Sequence, residues 1–233
     1  MKQYLRFIPF YVLVIGLILG LALWGDRAVT AMAENQPVPD RLCILVDAGH
    51  GYPDGGAVSC TGVHESVINL QISQRLDKLL GLLGYRTRML RTGPDSVYTE
   101  GETIARKKIS DLKERVRLVN GEEEAILLSI HQNHYSDSRY GGAQMFWADT
   151  EGSEALAKAL QMAFVTNLNP GSSRQAKQAT GIYLLEHIQC PAVLVECGFL
   201  SNPEEEARLR SPEYQKQISC VIACALSQFL SNT

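Results

Sequence analysis

Two histidines and a glutamate of this chain have the side chains and the placement of a metal site. His50 lies in the segment Asp-Ala-Gly-His-Gly directly after an apolar run, and His131 follows a second apolar run. Glu65 comes 15 residues after His50, across a glycine-rich loop and at the start of a helical pattern. Two imidazoles and one carboxylate form a ligand set of catalytic zinc, which keeps one coordination position open for water. We therefore predict that His50, Glu65 and His131 bind one Zn²⁺ ion.

A second carboxylate has the placement of a proton-transfer group. Glu196 ends an apolar run and is followed by Cys197-Gly198. A carboxylate in such a place is expected to be paired, bound to metal or raised in pKa. Glu196 is our candidate general base, taking a proton from water and returning it to a leaving amine, and a structural salt bridge is the alternative. A serine nucleophile is disfavoured, because the chain has no Gly-x-Ser-x-Gly segment.

Several neighbouring residues have roles that the sequence leaves open. His64 precedes Glu65 and is an alternative ligand, and Glu65 itself would be ordinary as an acid in the first turn of a helix. Asp47 either orients a ligand histidine or caps the loop backbone. Asn133 and His134 are candidates for contacting a ligand side chain or the substrate.

Strand and helix patterns alternate along the chain from residue 42. We predict strands at 42–46, 85–90, 125–130, 142–148 and 191–195, and helices at 65–83, 106–120, 151–167, 203–210 and 212–230. The segment 182–185 is either a short strand or a helix start, and 169–180 is a polar loop. This alternation predicts an α/β fold, a three-layer αβα domain with a largely parallel mixed sheet. Because ligands bind at the carboxyl ends of such strands, His50, His131 and Glu196 are predicted to share one cleft.

The N-terminal segment contains a long uncharged apolar run that the rest of the sequence lacks. Residues 7–24 carry no charge, and Lys2 and Arg6 precede them. This run predicts a hydrophobic helix, either a cleaved signal peptide with a site at 31–33 or an uncleaved membrane anchor. The positive-inside tendency then places the following domain outside the cytoplasm. We predict a signal or anchor, a linker and a catalytic domain over residues 1–33, 34–41 and 42–233.

The net charge and the cysteines restrict the partners and metal sites that the chain is expected to have. The formal net charge is −3 and no basic stripe is present, which argues against a nucleic-acid partner. None of the six cysteines forms a CxxC pair, so a four-cysteine zinc site is disfavoured. Export permits disulfides. However, five of the six lie in or beside apolar runs, and we predict free, buried thiols, including Cys220 and Cys224 on one helix face.

At these residues the chain resembles the zinc-dependent N-acetylmuramoyl-L-alanine amidases of the amidase type 3 family. The resemblance covers about residues 42–230, and its matching segments are 46–51, Glu65 with Asn69-Leu70, 128–133 and 193–205. It implies that His50, Glu65 and His131 are the zinc ligands and that Glu196 is the catalytic glutamate. His134 and Cys197 depart from the residues usual in the family.

The resemblance also implies a substrate and a setting. Amidases of this family cleave the amide between N-acetylmuramic acid and L-alanine of the peptidoglycan stem peptide. A single domain behind one hydrophobic segment is most similar to the spore-cortex branch, which implies muramic-lactam formation for germination. Expected partners are peptidoglycan, the membrane if the N-terminal segment stays uncleaved, and an activating protein as a candidate. The alternatives are a catalytically silent wall-binding or regulatory module and a zinc peptidase cutting within the stem peptide.

Overall fold

The computed structural model describes residues 41–232. The predicted hydrophobic helix and its cleavage site lie outside these residues. Within the described part of the chain, no helix combines the length and hydrophobicity needed to cross a membrane.

Strands and helices alternate over residues 41–232 as the pattern predicts. The strands are β1 (Cys43–Ala48), β2 (Arg86–Met89), β3 (Ala125–Asn133), β4 (Gln144–Trp147), β5 (Lys177–Gln178) and β6 (Ala192–Phe199). The helices are α1 (Glu65–Leu82), α2 (Ile104–Asn120), α3 (Ser153–Asn167), α4 (Tyr183–His187), α5 (Pro203–Leu209) and α6 (Pro212–Ser231). The short strand β5 interrupts the segment predicted as a loop, and 182–185 resolves into the start of a helix.

The six strands form one mixed sheet in the order β2-β1-β3-β6-β4-β5. Strands β2, β1, β3 and β6 are parallel, whereas β4 runs antiparallel to β6 and β5 runs parallel to β4. The predicted α/β domain with a largely parallel mixed sheet is confirmed. Because β1, β3 and β6 are neighbours, the residues at their carboxyl ends meet at one edge.

Both faces of the sheet are covered by helices. Ile44 and Val46 belong to a core shared with α1, α3 and α6, while Cys43 and Leu45 belong to a second core shared with α2 and α4. Successive residues of a strand point to opposite faces, so a central strand buried on both sides is apolar without interruption. This is why β1 reads as a continuous apolar run up to Asp47.

Three strands extend beyond their predicted ends, and the first is β1, which was predicted to end at Val46 and continues to Ala48. β3 was expected to end at Ile130 and β6 at Val195, yet both continue past the polar residues that follow, and His131 lies opposite Glu196 in the parallel register. The register then shifts between His131 and Asn133. Backbone pairing does not require apolar side chains, so an apolar pattern underestimates strand length where strands enter a polar site.

Single residues stabilise the start of one helix and the end of another. Asn202 caps α5, and its side chain accepts hydrogen bonds from the backbone N–H groups of Glu204 and Glu205 at 3.0 and 3.1 Å. Gly84 follows the end of α1 with φ of 90°, a conformation that glycine adopts without strain.

All six cysteines are free, as predicted, but their burial differs from the prediction. Cys43 and Cys197 are buried and Cys190 is half-buried, whereas Cys60, Cys220 and Cys224 are exposed. Cys220 and Cys224 do share one face of α6, but it is the solvent face. The core face of α6 is occupied instead by larger apolar residues such as Ile218 and Ile222, which bury more hydrophobic area than a thiol does.

Helix α1 provides a direct test of the core. Leu76 is fully buried, whereas Leu82 on the same helix is 83% exposed. We expect Leu76→Ala to lower the free energy of unfolding by about 2–5 kcal/mol, because it leaves a cavity in a packed core. Leu82→Ala is the matched control and should change the free energy by no more than about 0.5 kcal/mol. Urea denaturation of both variants measures the difference, and equal losses would contradict the packing described.

Candidate active site

The three predicted metal ligands lie together at the carboxyl edge of the sheet. His50 Nε2 is 3.2 Å from Glu65 Oε2, and His131 Nδ1 is 2.9 Å from Glu65 Oε1. One donor atom from each residue lies within 4.8 Å of the others. Ligand distances of about 2.0–2.2 Å in a tetrahedral site place neighbouring donor atoms roughly 3.3 Å apart. The donor set therefore fits one metal ion.

Glu65 is held as an anion by its surroundings. It is the first residue of α1 and is buried, and its two oxygens accept hydrogen bonds from the backbone N–H groups of Ala57 and Gln132 and from the Asn69 amide, at 3.0, 3.2 and 3.1 Å. Burial alone would raise the pKa of Glu65, but the hydrogen bonds to the two histidines outweigh burial and hold it well below its ordinary value. The positive end of the helix dipole favours the same charge.

The loop that carries His50 has a backbone conformation that few residue types adopt without strain. His50 has φ of 60°, in the left-handed region that costs energy for a residue with a side chain. Its glycine neighbours leave room for the ligands. A Cβ atom on Gly49 would overlap the His131 ring, and one on Gly56 would lie 2.5 Å from Glu65 Oε2. The glycine-rich sequence is therefore required by close approach of the backbone to the site.

Asp54 orients the His50 ring. Its Oδ2 lies 3.1 Å from His50 Nδ1 and 3.0 Å from Lys108 Nζ, so the other ring nitrogen of His50 is directed at Glu65. Burial disfavours a charged imidazole, but hydrogen bonds to Asp54 and Glu65 outweigh it and raise the pKa of His50 to about 9. Carboxylates in this position fix the tautomer of a ligand histidine. The sequence offered this role to Asp47, and the structure gives it to Asp54.

Asp47 acts on the loop backbone through an arginine. It is buried and accepts hydrogen bonds from Ser129 Oγ at 2.6 Å and from the Arg115 guanidinium. Arg115 donates in turn to the carbonyl oxygens of Ala48 and His50, at 3.0 and 2.7 Å. Burial would raise the pKa of Asp47, but the charge of Arg115 and the Ser129 hydrogen bond hold it below its ordinary value. Asp47 therefore supports the left-handed turn at His50 without contacting a ligand ring.

A second buried arginine, Arg91, joins the His50 loop to the Glu65 helix. Its guanidinium donates at 2.8–3.1 Å to the carbonyl oxygens of Ala48, Gly49, Ser66 and Gly93. Burial and the nearby Arg115 charge lower the pKa of Arg91 to about 10, which leaves it charged at neutral pH. Arg91 thereby fixes the separation between two ligand-bearing segments. No sequence pattern identified this role.

The environment of Glu196 has properties that metal binding alone would not require. It faces the site from β6, opposite His131, and its Oε2 is buried without a hydrogen-bond partner among residues 41–232. Burial raises its pKa to about 7, and the neighbouring histidines only partly oppose this shift. Within the same residues Glu196 forms no ion pair, so the structural salt bridge considered for it is not formed. A carboxylate with these properties can both accept and donate a proton near neutral pH.

The remaining candidates lie around this group. His64 is exposed at the N-cap position of α1 and is not part of the ligand cluster. Asn133 is half-buried at the end of β3, where its carbonyl oxygen accepts a hydrogen bond from Leu200 N at 2.8 Å. His134 follows it and is exposed. Both residues border the ligand-bearing end of β3.

Comparison with known proteins identifies the family. The family model described as N-acetylmuramoyl-L-alanine amidase matches residues 44–228. The chain belongs to this amidase family. The germination-specific N-acetylmuramoyl-L-alanine amidase of Bacillus subtilis (strain 168) is 36% identical over 181 residues, which cover 77% of this chain and 76% of that protein.

Solved structures support the assignment at the level of the fold. The CwlD amidase from Clostridioides difficile, determined in complex with the GerS lipoprotein, has a TM-score of 0.79 and 33% identity, with 82% of this chain and 99% of that chain covered. An N-acetylmuramoyl-L-alanine amidase from Clostridium difficile 630 has a TM-score of 0.71 and 27% identity, with 81% and 96% covered. The predicted resemblance is confirmed, and the amidase carries a His-Glu-His candidate metal site.

The protonation of His50 makes metal binding by this amidase dependent on pH. Without metal, His50 is protonated below a pKa of about 9, whereas a metal ligand must be neutral. Metal binding at neutral pH should therefore release a proton, and the apparent affinity should fall about tenfold or more for each unit of acidification. Calorimetry in buffers of different ionisation heats measures the released proton. Uptake without proton release at neutral pH would contradict the protonated state of His50.

Asp54 should contribute to metal affinity although it is not a ligand. We expect Asp54→Asn to weaken metal binding by roughly 10- to 100-fold, because the His50 ring loses the carboxylate that orients it. Asp137→Asn is a matched control, since Asp137 pairs with the exposed Arg139 on a loop. Competition with a metal chelator gives both affinities. If the two variants bind metal equally well, Asp54 has no orienting role.

Proposed function

We propose that this amidase uses one Zn²⁺ ion, held by His50, Glu65 and His131, to cleave the amide between N-acetylmuramic acid and L-alanine in peptidoglycan. Two imidazoles and a carboxylate suit zinc among the common divalent ions. The single observation that carries the proposal is the buried, unpartnered oxygen of Glu196 beside this ligand set. A purely structural metal site or a silent binding module would have no use for it, since an unpaired buried carboxylate is costly.

The chain's own residues supply orientation and proton transfer. Bound zinc provides a Lewis acid for the scissile carbonyl and lowers the pKa of water. Glu196 takes the proton from the attacking water, holds it on its carboxyl group and delivers it to the leaving nitrogen of L-alanine. In the metal-free protein, burial raises the pKa of Glu196 to about 7, so its carboxyl group is not strongly committed to either protonation state near neutral pH. Asp54, Arg91 and Arg115 keep the ligand-bearing segments in place during these steps.

We further propose that the substrate is spore-cortex peptidoglycan and that the catalytic domain works outside the cytoplasm. Support comes from the germination-specific relative and from the wall location of the substrate. The predicted signal peptide or membrane anchor at residues 1–33 would deliver residues 42–233 there. The CwlD relative was solved with a lipoprotein, which supports a protein partner for this chain as well.

Digestion of purified peptidoglycan separates the proposal from its alternatives. The metal-loaded protein should release intact stem peptides with a free L-alanine amine, identified by mass spectrometry. Stem fragments would instead show a peptidase, and the absence of any product would indicate a binding or regulatory module. Comparison of cortex with vegetative peptidoglycan tests the proposed setting, and equal rates on both would contradict a cortex preference.

Two variants separate proton transfer from metal binding. We expect Glu196→Gln to keep full metal content and lose about 10²- to 10⁴-fold in kcat, because only the proton acceptor is removed. His50→Ala should instead lose stoichiometric zinc. Metal analysis beside the turnover assay distinguishes the two, and Glu151→Gln, at an exposed position, is the control. Normal turnover by Glu196→Gln would remove Glu196 from the mechanism.

A further inference from the structure

An open cavity of about 710 Å³ lies beside the strand that carries Glu196. Its wall comes from the loop before β4, the segment after α3 and the start of α5, and includes Tyr140, Gly142, Asn169, Ser172, Arg174 and Arg208. The volume is enough for a few amino-acid residues. None of the wall residues belongs to the ligand cluster or acts in the proton transfer described above.

Arg174 is held in a fixed orientation in this wall. Its Nε donates to the carbonyl oxygen of Gly141 at 2.8 Å, and its Nη1 donates to Gln144 Oε1 at 3.3 Å. The guanidinium carbon lies 4.8 Å from the centre of the Phe199 ring, in β6. These contacts leave Nη2 without a hydrogen bond within residues 41–232, and Arg174 has no acidic partner there. A rigid guanidinium with free N–H donors is a carboxylate-binding group.

Two of the other charged residues of the cavity, Arg208 and Glu205, have partners. Arg208 lies 3.5 Å from Glu205 and stacks over the Tyr214 ring. Both oxygens of Glu205 accept backbone hydrogen bonds, from Gly142 N at 2.7 Å and Phe199 N at 2.8 Å. Glu204 is exposed in the first turn of α5, where its charge is favourable. Arg174 is therefore the cation of this cavity that has no acidic partner among residues 41–232, and a bound anion can pair with it.

The position of Arg174 relative to Glu196 connects the cavity to the reaction. Gln144 of β4 lies directly opposite Glu196 of β6 in an antiparallel pair. The side chains of such a pair share one face of the sheet, with Cβ atoms about 4.5–5.5 Å apart. Arg174 donates to the side chain of Gln144, so one strand spacing, the Gln144 side chain and one hydrogen bond separate it from Glu196, on the order of 10 Å in all. An extended peptide spans at most about 3.6 Å per residue, so a carboxylate carried by the first or second residue beyond a scissile amide at Glu196 can reach Arg174 when the length of its side chain is added.

We propose that this cavity is a subsite for the released peptide and that Arg174 binds a free carboxylate one or two residues beyond the cleaved amide. The substrate class is thus an acidic stem peptide, and a carboxamide at the same place is disfavoured. The inference rests on the proposed function, because it assumes that the amide is cleaved at Glu196.

The test compares two substrates that differ in one group. N-acetylmuramoyl-L-alanyl-glutamate and its carboxamide counterpart are cleaved by the metal-loaded wild type, Arg174→Gln and Arg139→Gln. We expect the wild type and Arg139→Gln, a surface control that is 88% exposed, to prefer the carboxylate by about 10- to 100-fold in kcat/KM, mainly through KM. Arg174→Gln should lose that preference by becoming slower on the carboxylate substrate alone, with unchanged metal content. Arg174→Lys, which keeps the charge but not the planar donors, should retain part of it.

Two results would overturn the subsite. One is a wild type that cleaves both substrates equally well, and the other is an Arg174→Gln variant that loses the same factor on both. Calorimetry with the free peptide L-alanyl-glutamate and its carboxamide separates this failure from that of the proposed function. Preferential binding of the acidic peptide, lost in Arg174→Gln, supports the subsite even if neither substrate is cleaved, in which case the amidase mechanism is wrong. Equal binding of both peptides overturns the subsite even where cleavage is normal.

Discussion

The site depends on the buried carboxylate of Glu65, which lies between the two histidines. A buried anion is costly unless charge and hydrogen bonds compensate it. Here the compensation comes from His50, His131, backbone N–H groups and the first turn of α1. A metal cation can take over the role of the proton on His50. The same contacts that stabilise the metal-free protein therefore leave a preorganised ligand set.

This arrangement requires a rigid loop, and two buried guanidiniums provide it. Arg91 and Arg115 both donate to the carbonyl oxygen of Ala48, and together they bind the backbone on each side of the strained turn at His50. Their charge is offset chiefly by Asp47 and Asp111, which pair with Arg115. Loops bend easily, so a ligand on a loop is positioned well only when its backbone carbonyl groups are held from the interior. The buried side chains of Arg91 and Arg115, with the partners of Arg115, hold the loop in this way.

The general architecture and the chemical groups followed from local patterns. Apolar runs of strand length, helical spacing after Glu65 and the glycines before it were sufficient to predict an α/β domain in which His50, His131 and Glu196 meet. The strand boundaries were predicted less accurately, since β1, β3 and β6 all continue into polar residues. The burial of Cys220 and Cys224 was also predicted wrongly, since both are exposed. Their spacing shows that they share a helix face, but it does not reveal which face meets the core.

The sequence by itself determined the types of the reacting groups and the strand ends that carry them, because these depend on residues close together in the chain. Only the tertiary structure decided which groups support them. Asp47 meets Arg115 across 68 residues, and Arg91 reaches Gly49 across 42. Asp54 rather than Asp47 orients His50, since the direction of a side chain depends on the turn of the loop. The partners of Arg174 are likewise fixed by the antiparallel pairing of β4 with β6, which no local pattern specifies.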